Sequence, residues 1–197
     1  MRRVFCKSHD GAAAVEFALL LPLMLMIFFG VVESTLALVC RADVSVMAST
    51  AADLISQEGQ ATAVDLGNVY SAAGTILYPY YNGSGSGKPT IRITSVIYDT
   101  TSKSTTSGKI DWTCTQSGTG SLNPTSRTKG NTVTFGPPLT GATQALMTTG
   151  GSVIIAEVAY NYASPTTQII TGPINMTNNF FTKPRRVAQI TAPSSCT

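Results

Sequence analysis

The chain has 197 residues, enough for one membrane anchor and one small domain. Its formal net charge is +3 and only 12% of its residues are charged, which gives no electrostatic case for a nucleic-acid partner. The single histidine is His9, so histidine triads, histidine general bases and His metal sites are excluded from everything that follows it.

The first ten residues carry Arg2, Arg3 and Lys7 against Asp10. By the positive-inside rule this end stays in the cytoplasm and the rest of the chain crosses the membrane. From Phe17 to Val32 there is neither a charge nor an amide, and the apolar character extends back to Ala12 and forward through Leu36, Ala37, Leu38 and Val39. As a helix, Ala12 to Cys40 spans roughly 43 Å and the uninterrupted core about 24 Å, set against a hydrocarbon layer of roughly 30 Å. The apolar region is too long for an ordinary cleaved secretory signal. Pro22 removes one backbone donor inside it and is expected to kink or loosen the helix locally. Two carboxylates, Glu16 and Glu33, bracket the most apolar part. An ionised carboxylate at bilayer depth costs about 2.5–3.5 kcal/mol, less near an interface, so Glu16 needs a reason.

The order of a basic leader, Gly11, four small or apolar residues, Glu16, Phe17 and a long apolar helix resembles the processing site of type IV prepilins. The run Gly11-Ala-Ala-Ala-Val-Glu-Phe-Ala-Leu-Leu-Leu-Pro22, closing on Gly30-Val-Val-Glu33, is similar to the TadE-like pseudopilins of the tight-adherence (Flp) pilus systems. The close likeness covers about residues 9–35; beyond it only a β-rich domain and Pro184-Arg185 are shared loosely. The resemblance implies cleavage after Gly11 by a membrane aspartic prepilin peptidase, with Ala12 as the new N-terminus and Glu16 and Phe17 as the signature pair. A carboxylate one turn from a helix N-terminus suits the helix dipole. Glu16 would also neutralise the N-terminal amine of a neighbouring subunit when such helices bundle. The major Flp pilin is far shorter than this chain, which points to a minor subunit.

Beyond Glu33 apolar residues recur at Leu36, Cys40, Val44, Met47, Ala51, Leu54 and Ile55, with Arg41, Ser45, Ser49, Asp53 and Gln57 between them. That spacing predicts an amphipathic continuation of the helix, ended by Gly59. Residues 60–80 read as a second, shorter helix with Val64, Leu66, Val69, Ala72, Ala73 and Ile76 on its apolar side and Pro79 ending it. The loop from Asn82 to Pro89 fails as a phosphate loop, because Lys88 is followed by Pro and no helix starts there.

Thr90 to Tyr98 reads as a strand, with Ile91, Ile93 and Ile97 on one face and Arg92, Thr94 and Val96 on the other. Residues 99–132 read as exposed polar loop enclosing a short strand, Ile110 to Thr115. A short strand is expected at Asn131–Phe135 and a short helix at Leu139–Thr149. Gly151 to Tyr162 is the strongest strand, apolar on both faces at its start and therefore central, with Glu157 its only charge and expected to be paired or edge-facing. Pro165 and Pro173 bound an irregular segment, and Lys183 to Ile190 reads as a last strand.

The fold expected is α+β: a long N-terminal transmembrane and amphipathic helix, pilin-like, packed on a small antiparallel β-sheet head. The divisions are a cleaved cytoplasmic leader, 1–11; the long helix, 12–58, spanning the membrane over about 12–39; and an extracytoplasmic head, 59–197. Cys114 and Cys196 both fall outside the cytoplasm, where disulfides persist, and a bond between them would contribute about 4 kcal/mol on the chain-entropy estimate. No Cys-x-x-Cys is present, so a redox or zinc site is not expected.

Removing residues 1–11 takes away three cations and Asp10, leaving +3 − 2 = +1 and nine of ten carboxylates, none in a metal-like cluster. No Gly-x-Ser-x-Gly elbow or Ser-x-x-Lys is paired with a plausible base. The chain is expected to be no enzyme, with no catalytic residues, cofactor, metal, nucleic-acid partner or small-molecule substrate. The reading that results is a minor pseudopilin in the inner membrane, N-terminus cytoplasmic, assembling through Glu16, Phe17 and Pro22. Its partners would be membrane lipid, the prepilin peptidase, other pseudopilins or pilins, and the pilus assembly platform. The rival is an uncleaved single-pass anchor that presents a binding or adhesion head.

Overall fold

The structure, a computed structural model, describes residues 10–81, 83, 87–99, 107–124, 126–134, 148–193 and 196. Two helices precede five strands: α1, Asp10–Ser56; α2, Ala63–Thr75; β1, Thr90–Tyr98; β2, Ser107–Gln116; β3, Thr132–Thr134; β4, Ser152–Tyr162; β5, Ile174–Thr182. The strands form one antiparallel sheet in the order β3-β2-β1-β4-β5. The architecture is α+β, a long apolar N-terminal helix with an antiparallel sheet.

Helix α1 is one continuous element with Pro22 inside it. Pro22 has no amide to give the carbonyl of Ala18, one turn back. The chain divides into two compact units, Met1–Leu38 with Ala163–Pro173, and Val39–Tyr162 with Ile174–Thr197. In the first unit the large side chains of the helix are exposed, Leu19 77%, Met26 61% and Val31 61%. In the second, Cys40, Val44, Met47, Ala48, Ala51, Ala52 and Ile55 are fully buried, the stripe that the three-and-four spacing predicts. The last turn tightens through Gln57 N–H to Leu54 O and Glu58 N–H to Ile55 O, and Gly59 follows.

Helix α2 is shorter than its apolar pattern predicts. Thr62 and Asp65 form a capping box that fixes its start: Asp65 N–H donates to Thr62 Oγ1 at 3.2 Å, and Thr62 N–H to Asp65 Oδ2 at 3.0 Å. The box is written in the sequence as Thr-x-x-Asp, so the helix begins at Ala63 and not at Gln60.

The interior strands β1 and β4 are buried on both faces over most of their length, while β3 and β5 at the edges are largely exposed. Val96, Ile110, Val133, Val153 and Ile155 form one cluster, with Phe181 packed against it. Ile91, Ile93, Trp112, Ile154 and Tyr162 are each under 2% exposed. β1 is the middle strand and β4 lies between β1 and β5, so β4 is interior but not central. A register shift between Ser95 and Val96 marks a bulge in the β1–β2 pairing.

Two expected elements are corrected. The last strand is Ile174–Thr182, not 183–190. Lys183-Pro-Arg-Arg cannot continue a ladder through the proline, whereas the 174–182 run, in which Ile174, Thr177, Phe180, Phe181 and Thr182 outweigh three asparagines, pairs with β4 along its whole length. The segment 183–190 is irregular and holds the sheet to α1 by single bonds: Arg185 N–H donates to Ser56 O, and Trp112 Nε1–H to Ile190 O at 2.8 Å. The 99–132 stretch is also more ordered than an exposed loop. β2 begins at Ser107, Leu122 is buried, and Gly120 lies so close to Ala159 that a Cβ there would sit 2.2 Å from the Ala159 carbonyl carbon. The short helix expected at 139–149 falls almost wholly outside the described residues; positions 148–150 are coil and turn.

Candidate assembly site

Gly11, Ala12, Glu16 and Phe17 lie in the first two turns of α1, all exposed. Ala12 and Glu16 are one helical turn apart on the same face. A Cβ added at Gly11 would meet nothing within 4 Å, so packing gives no reason for glycine there. Among the described residues Glu16 has no ion-pair partner. Phe17 is 59% exposed, and Pro22 stands within the same exposed apolar stretch. These four residues and Pro22 share one element, and among the described residues nothing else gathers around them.

Glu33 is different. It is the only charged residue between Phe17 and Cys40, and it is fully buried. The segment Ala163–Pro173, part of the same compact unit, wraps its carboxylate with four donors. Thr166 Oγ1–H (2.5 Å) and Gln168 N–H (2.7 Å) reach Oε1; Ile169 N–H (3.0 Å) and Ile170 N–H (2.6 Å) reach Oε2. Consecutive amides converging on an anion form a nest. Thr167, in the middle of the turn, takes φ 50, a left-handed conformation that costs a β-branched residue about 1–3 kcal/mol. That backbone aims the three following amides at Glu33. The sequence held a signal for this site: a lone charge in an apolar helix requires a buried partner. What it did not hold was which distant polar turn supplies the donors.

The third polar cluster lies in the head. Arg92 and Glu157 face each other across β1 and β4. Arg92 Nε–H donates to Glu157 Oε2 at 2.7 Å and its Nη2–H to Pro124 O at 2.8 Å. Arg127 closes the other side, Nε–H to Oε2 and Nη2–H to Oε1, both at 2.7 Å. Burial alone would push the Glu157 carboxyl up, but the hydrogen bonds from Arg127 and Arg92 outweigh it and hold the group below the ordinary carboxylate range. A carboxylate locked between two guanidiniums is a poor proton acceptor, so the cluster is structural in character.

Cys114 and Cys196 are joined in a disulfide with their Cα atoms 5.1 Å apart. Cys40 is a buried free thiol, and burial, aided by Asp43, pushes it up to about 12. Among the described residues no group of three His, Cys, Asp or Glu side chains is placed to hold a metal ion.

The family model for TadE-like protein matches residues 11–53, which covers Gly11, Glu16, Phe17, Glu33 and the buried stripe of α1 as far as Ala52, and stops before the head. No curated protein and no solved structure matches the chain. Through residues 11–53 the chain is similar to the TadE-like family, and the helix that carries this likeness is long and apolar enough to cross a membrane.

Proposed function

We propose that this is a minor pseudopilin of a Tad pilus assembly system. It enters the inner membrane with residues 1–11 in the cytoplasm and is cut after Gly11 by a prepilin peptidase. It then assembles through the apolar half of α1 to prime, cap or regulate the fibre. The observation that carries this reading is an apolar helix exposed along its whole membrane-length window, beginning at a glycine and a carboxylate with which no described residue packs or pairs. Lipid or neighbouring helices must cover those side chains, since each left in water forgoes about 1.5–3 kcal/mol of burial. Cleavage after Gly11 gives Glu16 a purpose: it becomes the fifth residue, placed to meet the amine of an adjacent subunit. The head then acts as a partner-binding and spacing module outside the membrane, without catalysis.

Replacing Glu16 by Gln tests the assembly step. The variant is expected to insert in the membrane at the native level and to be depleted from purified pili or crosslinked pseudopilin complexes. Unchanged incorporation would show that Glu16 pairs with nothing, and favour the uncleaved anchor with a binding head.

A further inference from the structure

We infer that the Ala163–Pro173 segment is a collar seated on the outer leaflet of the bilayer, held to the helix by Glu33 and presenting Ile169 and Ile170 to lipid. This rests on the membrane-spanning reading of α1 and adds to it where the span ends. From Ala12 to Val32 the helix rises about 31 Å, which matches a hydrocarbon layer of roughly 30 Å. Glu33 therefore falls at the boundary, where a bare carboxylate would be poorly tolerated in lipid.

The collar answers that problem twice over. Its four donors occupy both carboxylate oxygens, so Glu33 presents no unsatisfied charge and is sealed from its surroundings even without lipid. The segment itself, Ala-Ser-Pro-Thr-Thr-Gln-Ile-Ile-Thr-Gly-Pro, contains no charged residue, so it can rest on the acyl boundary without desolvating an ion. Ile169 and Ile170 donate their amides inward to Glu33, yet Ile169 leaves 48% of its surface exposed. On the helix, Val31 (61%) and Leu38 (67%) are exposed to either side of that level, so the collar's apolar surface continues that of the span. An apolar side chain held at the level where lipid begins has lipid as its nearest apolar phase.

The test places a small fluorophore on the full chain in phospholipid vesicles, in a background with Cys6→Ser and Cys40→Ala and the disulfide intact. Ile169→Cys or, as a second site, Thr171→Cys carries the probe; Leu25→Cys marks the span and Ser71→Cys the head. Lipids brominated near the headgroup are expected to quench the collar probes most, and lipids brominated near the bilayer centre to quench Leu25 most. Aqueous iodide is expected to quench Ser71 alone. In the Glu33→Ala variant the collar probes are expected to lose lipid quenching and gain iodide quenching while Leu25 stays unchanged. If Leu25 is quenched by lipid and both collar sites by iodide, the collar is overturned and the span stands. If Leu25 is not quenched by lipid either, the membrane reading falls with it. Shielding of the collar probes that varies with protein-to-lipid ratio and not with bromine position would assign the surface to a second copy of the chain, against the inference.

Discussion

Glu157, buried and paired with two arginines, tests the head through a change of a single atom. Glu157→Gln keeps the shape of the side chain and removes its charge from between Arg92 and Arg127. The side chains of Arg92, Glu157 and Arg127 are 1%, 5% and 12% exposed. Three charge-assisted hydrogen bonds at 2.7 Å, at about 1.5–3 kcal/mol each, would overstate the loss, because the pair also bears a desolvation penalty. Breaking a buried pair costs about 3–5 kcal/mol, most of it from the charge left behind. Arg127 can turn toward water and Arg92 cannot, so the lower figure, about 3 kcal/mol, is expected. For a domain of this size that lowers Tm by roughly 6–12 °C. The full chain in micelles reports this through Trp112, its one tryptophan, which is buried and bonded to Ile190 O. A loss under about 1 kcal/mol would refute the reasoning, since that is the worth of an exposed pair. The combined variant Glu157→Leu, Arg92→Met, Arg127→Met should recover most of the loss, because it leaves no charge uncompensated. The pH dependence carries the same sign: the folded-state pKa of Glu157 is depressed, so its stabilisation is complete above the unfolded value of about 4.3 and is lost as pH falls through the lower folded value. Glu157→Gln should flatten that part of the acid limb.

Gly120→Ala should destabilise the head strongly, because its Cβ would meet the backbone of Ala159 and Tyr160 within 2.4 Å, while Gly67→Ala on the open face of α2 should stabilise it by about 0.5–1 kcal/mol; paired Trp112 melts check both. Cys40, with its thiol pushed up to about 12, should resist a maleimide at pH 8 in the folded protein and react after denaturation, as read by intact mass. Cys114→Ser should lower stability by about 2–5 kcal/mol, and reductant should do the same to the native chain and nothing further to the variant.

The periodic elements were legible from the residues. The α1 stripe from Cys40 to Ile55, the first strand and the strong strand at 152–162 each follow from hydrophobic spacing that burial then enforces. What was not legible depended on distant pairing. β5 has strand formers in Ile174, Thr177, Phe180, Phe181 and Thr182, but three asparagines break its alternation and pairing with nine residues of β4 sets its bounds, while the 183–190 run contains the proline that stops a ladder. Arg127 sits in what reads as solvated loop, and only the fold brings it to Glu157. For the candidate assembly site, Gly11, Glu16 and Phe17 were read from a resemblance in order and spacing, and the described fold adds only that all three are exposed on α1. Glu33 was visible as a charge out of place, but its partners lie more than 130 residues away in a polar turn with no sequence signature of its own.

The central claim is that the fold's unused glycine and carboxylate mark a processed, assembling N-terminus. The most direct measurement is the N-terminal residue of the protein purified from its native membranes, by intact mass with N-terminal sequencing. The account predicts a chain that begins at Ala12. A chain that begins at Met1 would contradict processing and leave a plain membrane anchor, and one that begins beyond Val39 would remove the apolar half of α1 and the assembly mechanism with it.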